Sequence, residues 1–147
     1  MFQRILVATD GSTLSRKAVE SAIELAALNG AELVALTVVP RYPHSYFEGA
    51  AVFTADDVAR IEKEWSEAAQ ATLDKVSAEA KTAGVSIKTA TVSSDLVAES
   101  IIGAAKKHNS DLIVMASHGR KGIKRLLLGS ETQHVLTHSQ LPVLVLR

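Results

Sequence analysis

Residues Ile5–Ser12 read ILVATDGS, a short apolar run that stops at an aspartate, a glycine and a serine. A strand that is apolar on both faces is typical of a parallel sheet covered by helices on each side. Three further runs are nearly as continuous, at Leu33–Val39, Leu112–Met115 and Val143–Leu146. A fifth, Val85–Val92, alternates apolar and polar residues, which favours an edge strand with one wetter face.

The segments between these runs have apolar residues three and four positions apart, the spacing of amphipathic helices. Five strands and four helices alternate along the chain, which predicts a single α/β domain over residues 1–147. We expect one doubly wound, open sheet of five parallel strands in the Rossmann-like order 3-2-1-4-5. In such a sheet the ligand crevice lies outside the carboxyl ends of the strands, where the strand order reverses.

Local signals support these boundaries. Helix C-termini are predicted at Asn29-Gly30, Ala83-Gly84 and His108-Asn109, since glycine and asparagine tolerate the left-handed conformation. Helix N-termini are predicted at Thr54, at Asp95 and at a capping box over Ser130–Gln133. The segment from Arg41 to Ala55 interrupts the alternation with a long aromatic-containing loop, a length that is usually functional or mobile.

The composition excludes several classes of protein. Of 147 residues, 47% are apolar and 22% are charged, with 16 basic and 16 acidic side chains, so no net charge attracts nucleic acid or an anionic membrane. The absence of cysteine excludes disulfides, thiolate nucleophiles and thiolate metal sites. No apolar run approaches the ~20 residues of a membrane span, and the start lacks a leader pattern. We therefore expect a cytoplasmic protein.

The segment Gly119–Ser130 is the strongest candidate for chemistry. It follows a buried strand, ends at a predicted helix start, and contains four basic residues but no acidic one. Glycines allow backbone N–H groups to converge on an anion, and a helix N-terminus adds further N–H groups. The alternative is an ordinary turn with solvated cations, and the residues alone do not separate the two. Neither the Walker A nor the dinucleotide glycine pattern occurs.

Three blocks of the chain resemble the universal stress protein family: the run ending at Asp10, the glycine loop, and the terminal Leu141–Arg147. The likeness covers essentially the whole chain. ATP-binding members carry G-x2-G-x9-G-[ST]; here Gly119 takes the second glycine, Gly129-Ser130 closes the motif, and Ala116 replaces the first glycine. A position that needs positive φ would make alanine cost about 1–2 kcal/mol, whereas one that needs only smallness would tolerate a methyl group.

The resemblance implies ATP with Mg²⁺ or Mn²⁺ as ligand. It places Asp10 near the ribose and base, the backbone of Val38 against adenine, and the loop glycines on the phosphates. The expected site residues are Ala8, Thr9, Asp10, Val38, Met115, Ala116, His118, Gly119, Arg120, Gly129, Ser130, Glu131 and Thr132. Lys121, Lys124 and Arg125 would add charge or be solvated, and Asp10 has an alternative role as the N-cap of the first helix.

The resemblance also implies a homodimer through the strand Val143–Leu146, the alternative being an edge strand blunted by Arg147. We expect a stress-response sensor or effector with at most slow ATP hydrolysis, because no base is identifiable near the phosphates. Two other functions stay open: a nucleotide-free dimeric interaction protein and, less favoured, an adenylyl-transferring enzyme. His134 and His138 have helical ligand spacing but no third ligand in the sequence nearby, so we expect no metal there.

Overall fold

The computed structural model describes residues 1–41, 54–119 and 128–147. Its strands are β1 (Arg4–Ala8), β2 (Glu32–Val39), β3 (Ile87–Ser93), β4 (Leu112–Ala116) and β5 (Val143–Leu146). Its helices are α1 (Thr13–Asn29), α2 (Ala55–Thr82), α3 (Val97–Lys107) and α4 (Ser130–His138). All strand pairs are parallel and the order is β3-β2-β1-β4-β5, which confirms the predicted architecture.

The sheet separates two hydrophobic cores, because successive side chains of a strand point to opposite faces. In β1, Ile5 and Val7 pack with α1 and α2, whereas Leu6 packs with α3 and α4. All three of these side chains are fully buried. The continuous apolar run is therefore explained by helices on both faces. The alternating third run forms β3 at one edge of the sheet, as predicted, and β5 forms the other edge.

The three predicted helix C-termini are confirmed. Gly30, Gly84 and Asn109 all have positive φ, at 64°, 76° and 54°. β3 begins two residues later than predicted, because the N–H of Val85 still bonds back to the carbonyl of Ala80 at the end of α2. Thr54 caps α2 as predicted.

The predicted start of α4 at Ser130 is confirmed, but its predicted capping box and the predicted start of α3 at Asp95 are wrong. α4 has Gly129 as its N-cap and begins at Ser130, with no side-chain cap, so the capping box does not form. α3 has Leu96 as its N-cap, while the Asp95 carboxylate accepts the N–H of Arg41 at 3.0 Å. At α3 the Asp95 carboxylate accepts from Arg41 and not from the helix start, and at α4 the Gln133 side-chain amide donates to the carbonyl of Leu128. No helix among the described residues is long and apolar enough to cross a membrane.

Candidate functional site

The strand order reverses between β1 and β4, which are neighbours in the sheet. Asp10 follows β1 and Gly119 follows β4, so both lie at the carboxyl edge of this switch point. They approach closely: a Cβ added to Gly119 would lie 2.9 Å from Oδ2 of Asp10. A side chain at position 119 would therefore require the Asp10 carboxylate to shift. The structure therefore brings together the first two blocks of sequence that suggested a ligand site.

The turn after β1 fixes the half-buried Asp10 side chain. Its Oδ1 accepts the N–H of Ser12 at 2.9 Å, and Ser12 in turn caps α1 by accepting the N–H of Ser15. The N-cap of α1 is therefore Ser12, and the alternative role considered for Asp10 is wrong. A carboxylate has about four lone-pair positions, so one backbone bond does not exhaust its capacity to accept hydrogen bonds.

Thr9, at the start of the same turn, is 6% exposed and is hydrogen-bonded to its neighbours. Its N–H donates to the carbonyl of Leu36 at 2.9 Å, and its carbonyl accepts the Thr37 hydroxyl, also at 2.9 Å. Its own hydroxyl lies 3.0 Å from the hydroxyl of Ser15. The Thr9 side chain therefore stabilises the turn that carries Asp10. The sequence analysis did not predict the contacts of Thr9 with Thr37 and Ser15.

Ala116, in the position of the first motif glycine, is the last residue of β4 and is buried. It does not have positive φ, since Asn109 is the only non-glycine residue among those described that does. The penalty that a left-handed alanine would carry therefore does not arise in this backbone. The carbonyl of Ala116 accepts the hydroxyl of Thr132 at 3.0 Å, which ties α4 to β4.

Gly129 joins the far end of the glycine loop to the end of β4. Its N–H donates to the carbonyl of Ser117 at 2.8 Å, and a Cβ here would lie 3.3 Å from backbone and side-chain carbons of His118. The first α-helical bond of α4 runs from the N–H of Gln133 to the carbonyl of Gly129. The N–H groups of the three residues before Gln133 therefore belong to the open, electropositive end of the helix.

The other predicted site residues have varied surroundings. Met115 is buried, Ala8 and Val38 are half-buried, and the ring Nδ1 of His118 lies 3.0 Å from the Ser117 hydroxyl. The Glu131 carboxylate accepts the N–H of Ala98 in α3 at 2.9 Å. Arg120, Lys121, Lys124 and Arg125, and the segment 42–53, lie outside the described residues.

No cluster of three or more histidine, aspartate or glutamate side chains within residues 1–41, 54–119 and 128–147 could hold a metal ion. The rings of His134 and His138 are 4.3 Å apart, and Nε2 of His134 lies 3.3 Å from a carboxylate oxygen of Glu99, so His134 takes part in the α3–α4 contact.

A separate cleft of about 170 Å³ lies at the opposite, amino edge of the sheet. The Arg4–Glu32 ion pair, the start of β3 and the end of α3 line it. It contains none of the predicted site residues. Parallel α/β sheets bind ligands at the carboxyl edge, so we place the site at the Asp10–Gly119 crevice instead.

The model of the universal stress protein family matches residues 1–147. The chain belongs to this family. A universal stress protein of Methanocaldococcus jannaschii is 34% identical over 147 residues, which cover all of this chain and 83% of the relative. The solved structure of universal stress protein UspA from Lactobacillus plantarum has a TM-score of 0.83 and 26% identity, covering 99% of this chain and 97% of that one.

One similar solved structure is a universal stress protein in complex with cAMP. It is 29% identical, has a TM-score of 0.68, and the alignment covers 99% of this chain and 97% of that chain. Family membership and fold are therefore established for the chain, and an adenine nucleotide is a ligand of a protein similar to it.

Proposed function

We propose that this universal stress protein binds ATP in the crevice between the ends of β1 and β4, as a cytoplasmic stress-response sensor or effector. The observation that carries the proposal is the approach of Asp10 to Gly119 beside the uncapped start of α4. A carboxylate suits ribose hydroxyls, which are hydrogen-bond donors. A helix N-terminus with glycine before it suits phosphates.

Three parts of the ligand are assigned to three parts of the crevice. Adenine meets the backbone of Val38 at the end of β2, and the ribose meets Asp10. The phosphates lie at Gly119, Gly129 and the N–H groups at the start of α4, with Arg120 adding charge. Mg²⁺ or Mn²⁺ would accompany the phosphates and offset part of their negative charge. The complex of the similar protein with cAMP supports the adenine part of this assignment.

A leucine at Gly129 tests the phosphate assignment. Gly129 has ordinary extended backbone angles, φ −61° and ψ 154°, so leucine strains no dihedral, but its side chain would crowd Ser117 and His118 at the mouth of the crevice. Gly103→Leu is the matched control, since a Cβ at Gly103 in α3 meets nothing within 4 Å. We expect Gly129→Leu to lose ATP uptake and Gly103→Leu to keep it, measured by calorimetry with Mg²⁺.

Unchanged ATP uptake by Gly129→Leu would reject the site. A folded wild-type protein without thermal stabilisation at saturating ATP-Mg²⁺ would instead favour the nucleotide-free interaction protein, because a ligand that binds the native state must raise its stability. Stabilisation by cAMP but not by ATP would support the adenine and ribose assignments and would mean that the ligand is a cyclic monophosphate and not a triphosphate. Steady release of pyrophosphate would indicate adenylyl transfer.

We also propose a homodimer through β5. This strand ends the sheet, and Leu144 within it is 37% exposed. An apolar edge strand invites pairing with a second copy. Sedimentation velocity is the test. We expect the wild type to be a dimer and Leu144→Lys to be a monomer. A monomeric wild type would reject this part of the proposal.

A further inference from the structure

The backbone groups of β2 alternate between its two neighbouring strands. The N–H of Glu32 donates to the carbonyl of Gln3, and the carbonyl of Leu36 accepts the N–H of Thr9, each at 2.9 Å. Even-numbered residues of β2 therefore turn their N–H and C=O toward β1, since both groups of one residue face the same neighbour in a parallel ladder. Val38 shares this parity, so its N–H and C=O face the side of β1.

The ladder between β1 and β2 stops just before Val38. In a regular parallel ladder, the bond after Thr9 N–H to Leu36 would be Val38 N–H to the carbonyl of Thr9. That carbonyl instead accepts the hydroxyl of Thr37 at 2.9 Å. Within the part of the chain that the structure describes, no backbone bond joins Val38 to the residues that follow β1.

We infer that Thr37 is a positioning residue for the ligand, because its hydroxyl replaces the Val38 N–H at the Thr9 carbonyl and leaves that N–H facing the crevice. This inference rests on the proposed nucleotide function, in which the Val38 backbone meets adenine. Thr37 and Thr9 are 7% and 6% exposed, so the hydroxyl bond is buried. A buried carbonyl needs a donor, and the Thr37 hydroxyl supplies it without using the backbone of β2.

Hydrogen bonds to Ser15 and Gly11 hold the hydroxyl of Thr9 in place. The hydroxyl of Ser15 donates its single proton to the carbonyl of Ser12 at 2.9 Å. In the 3.0 Å contact between the two hydroxyls, Thr9 is therefore the donor and Ser15 the acceptor. The Thr9 oxygen also accepts the N–H of Gly11 at 3.2 Å. The Thr37 bond thus acts on a residue whose position is already fixed.

A valine at position 37 keeps the shape of threonine and removes the donor. The Thr9 carbonyl would then lack its donor, and we expect the Val38 N–H, the group that a regular ladder would supply, to take that place. A serine at position 37 restores the hydroxyl. Thr91→Val is the matched control, since Thr91 is the register partner of Thr37 on β3 and is exposed.

The test compares binding of ATP and of inorganic tripolyphosphate, each with Mg²⁺, by calorimetry. We expect Thr37→Val to bind ATP about tenfold more weakly, the effect of losing one well-made hydrogen bond. Thr37→Ser and Thr91→Val should bind ATP as the wild type does. Tripolyphosphate lacks the base, so its affinity should be the same in all four proteins. A merely structural role would not separate the two ligands.

Amide hydrogen exchange without ligand gives a second readout. The Val38 amide should exchange more slowly in Thr37→Val than in the wild type, because it has become part of the ladder. Equal ATP affinity in Thr37→Val and the wild type, or failure of Thr37→Ser to restore binding, overturns the inference while the proposed function stands. A wild-type protein that binds tripolyphosphate but not ATP rejects the adenine assignment itself, and the inference with it.

Discussion

The carboxylate of Glu131, in the first turn of α4, accepts the N–H of Ala98, in the first turn of α3, at 2.9 Å. α3 has no other side-chain cap, since its N-cap residue is Leu96. One side chain of α4 therefore satisfies a backbone N–H at the start of α3. The two helices that cover one face of the sheet are joined at the edge where the ligand site lies.

Replacing Glu131 tests this contact. We expect Glu131→Ala to lower the free energy of unfolding by about 1–2 kcal/mol, the usual cost of losing a helix cap. Glu131→Gln should lose less, because its amide oxygen can still accept the Ala98 N–H. Chemical denaturation of the two variants is the measurement. Equal losses in both would mean that the charge, and not the hydrogen bond, stabilises α3.

The capping box of α2 makes the stability of the fold depend on pH, and the pKa of Asp57 gives the direction of that dependence. The N–H and hydroxyl of Thr54 donate to the Asp57 carboxylate, and the backbone bond chiefly lowers the pKa of that carboxyl. A lowered folded-state pKa means that the carboxylate stabilises the fold above the ordinary value of about 3.9, and that this stabilisation is lost as pH falls through the folded pKa.

Thermal unfolding of Asp57→Asn beside the wild type measures this effect. The wild type should have the higher Tm at pH 7, and the difference should shrink steadily below about pH 4. Asp56→Asn is the control, because the capping box of α2 uses Asp57. A Tm difference that stays constant from pH 7 to pH 2.5 would contradict the assignment.

Ser110, between α3 and β4, has a buried hydroxyl with no hydrogen-bond partner among the described residues. Its N–H bonds to the carbonyl of Ala105, so the backbone needs nothing from the side chain. An unsatisfied buried polar group costs about 1–3 kcal/mol. Ser110→Ala should therefore unfold at the same or a higher denaturant concentration than the wild type. A clear loss of stability would reveal a partner for the hydroxyl, such as an ordered water.

Sequence patterns predicted the parts of this molecule that depend on local rules. The alternation of strands and helices, the glycines that end α1 and α2, and the placement of Asp10 and Gly119 at one edge of the sheet follow from periodicity, turn chemistry and the geometry of parallel sheets. The contact of Glu131 with Ala98 was not predicted, because its partner lies 33 residues away. A contact at that distance leaves no trace in a local pattern.

Thr37 could have been noticed. It is the one hydroxyl in the otherwise apolar run Leu33–Val39, and a polar group in a buried strand needs a partner. What the sequence did not contain was the identity of that partner, since Thr9 lies on a neighbouring strand and its carbonyl is a backbone atom. The role of Thr37 depends on where β1 ends, which only the register shows.

The close approach of Asp10 and Gly119 gives the last prediction. A methyl group at position 119 would lie 2.9 Å from Oδ2 of Asp10, a distance that carbon atoms on real side chains essentially never adopt, so the carboxylate must move. We expect Gly119→Ala to weaken ATP binding about tenfold or more, comparable to losing one charged hydrogen bond to the ribose. The fold should persist, because Gly119 is exposed and does not need positive φ.

Gly103→Ala is the control for that variant, since its added methyl group meets nothing within 4 Å. Calorimetry with ATP and with 2′-deoxy-ATP separates the causes. If Asp10 binds the ribose 2′-hydroxyl, the wild type prefers ATP and Gly119→Ala loses that preference. If both proteins bind the two nucleotides equally well, Asp10 does not contact the 2′-hydroxyl. If Gly119→Ala binds ATP as tightly as Gly103→Ala does, the carboxylate moves without consequence and the ribose assignment is wrong.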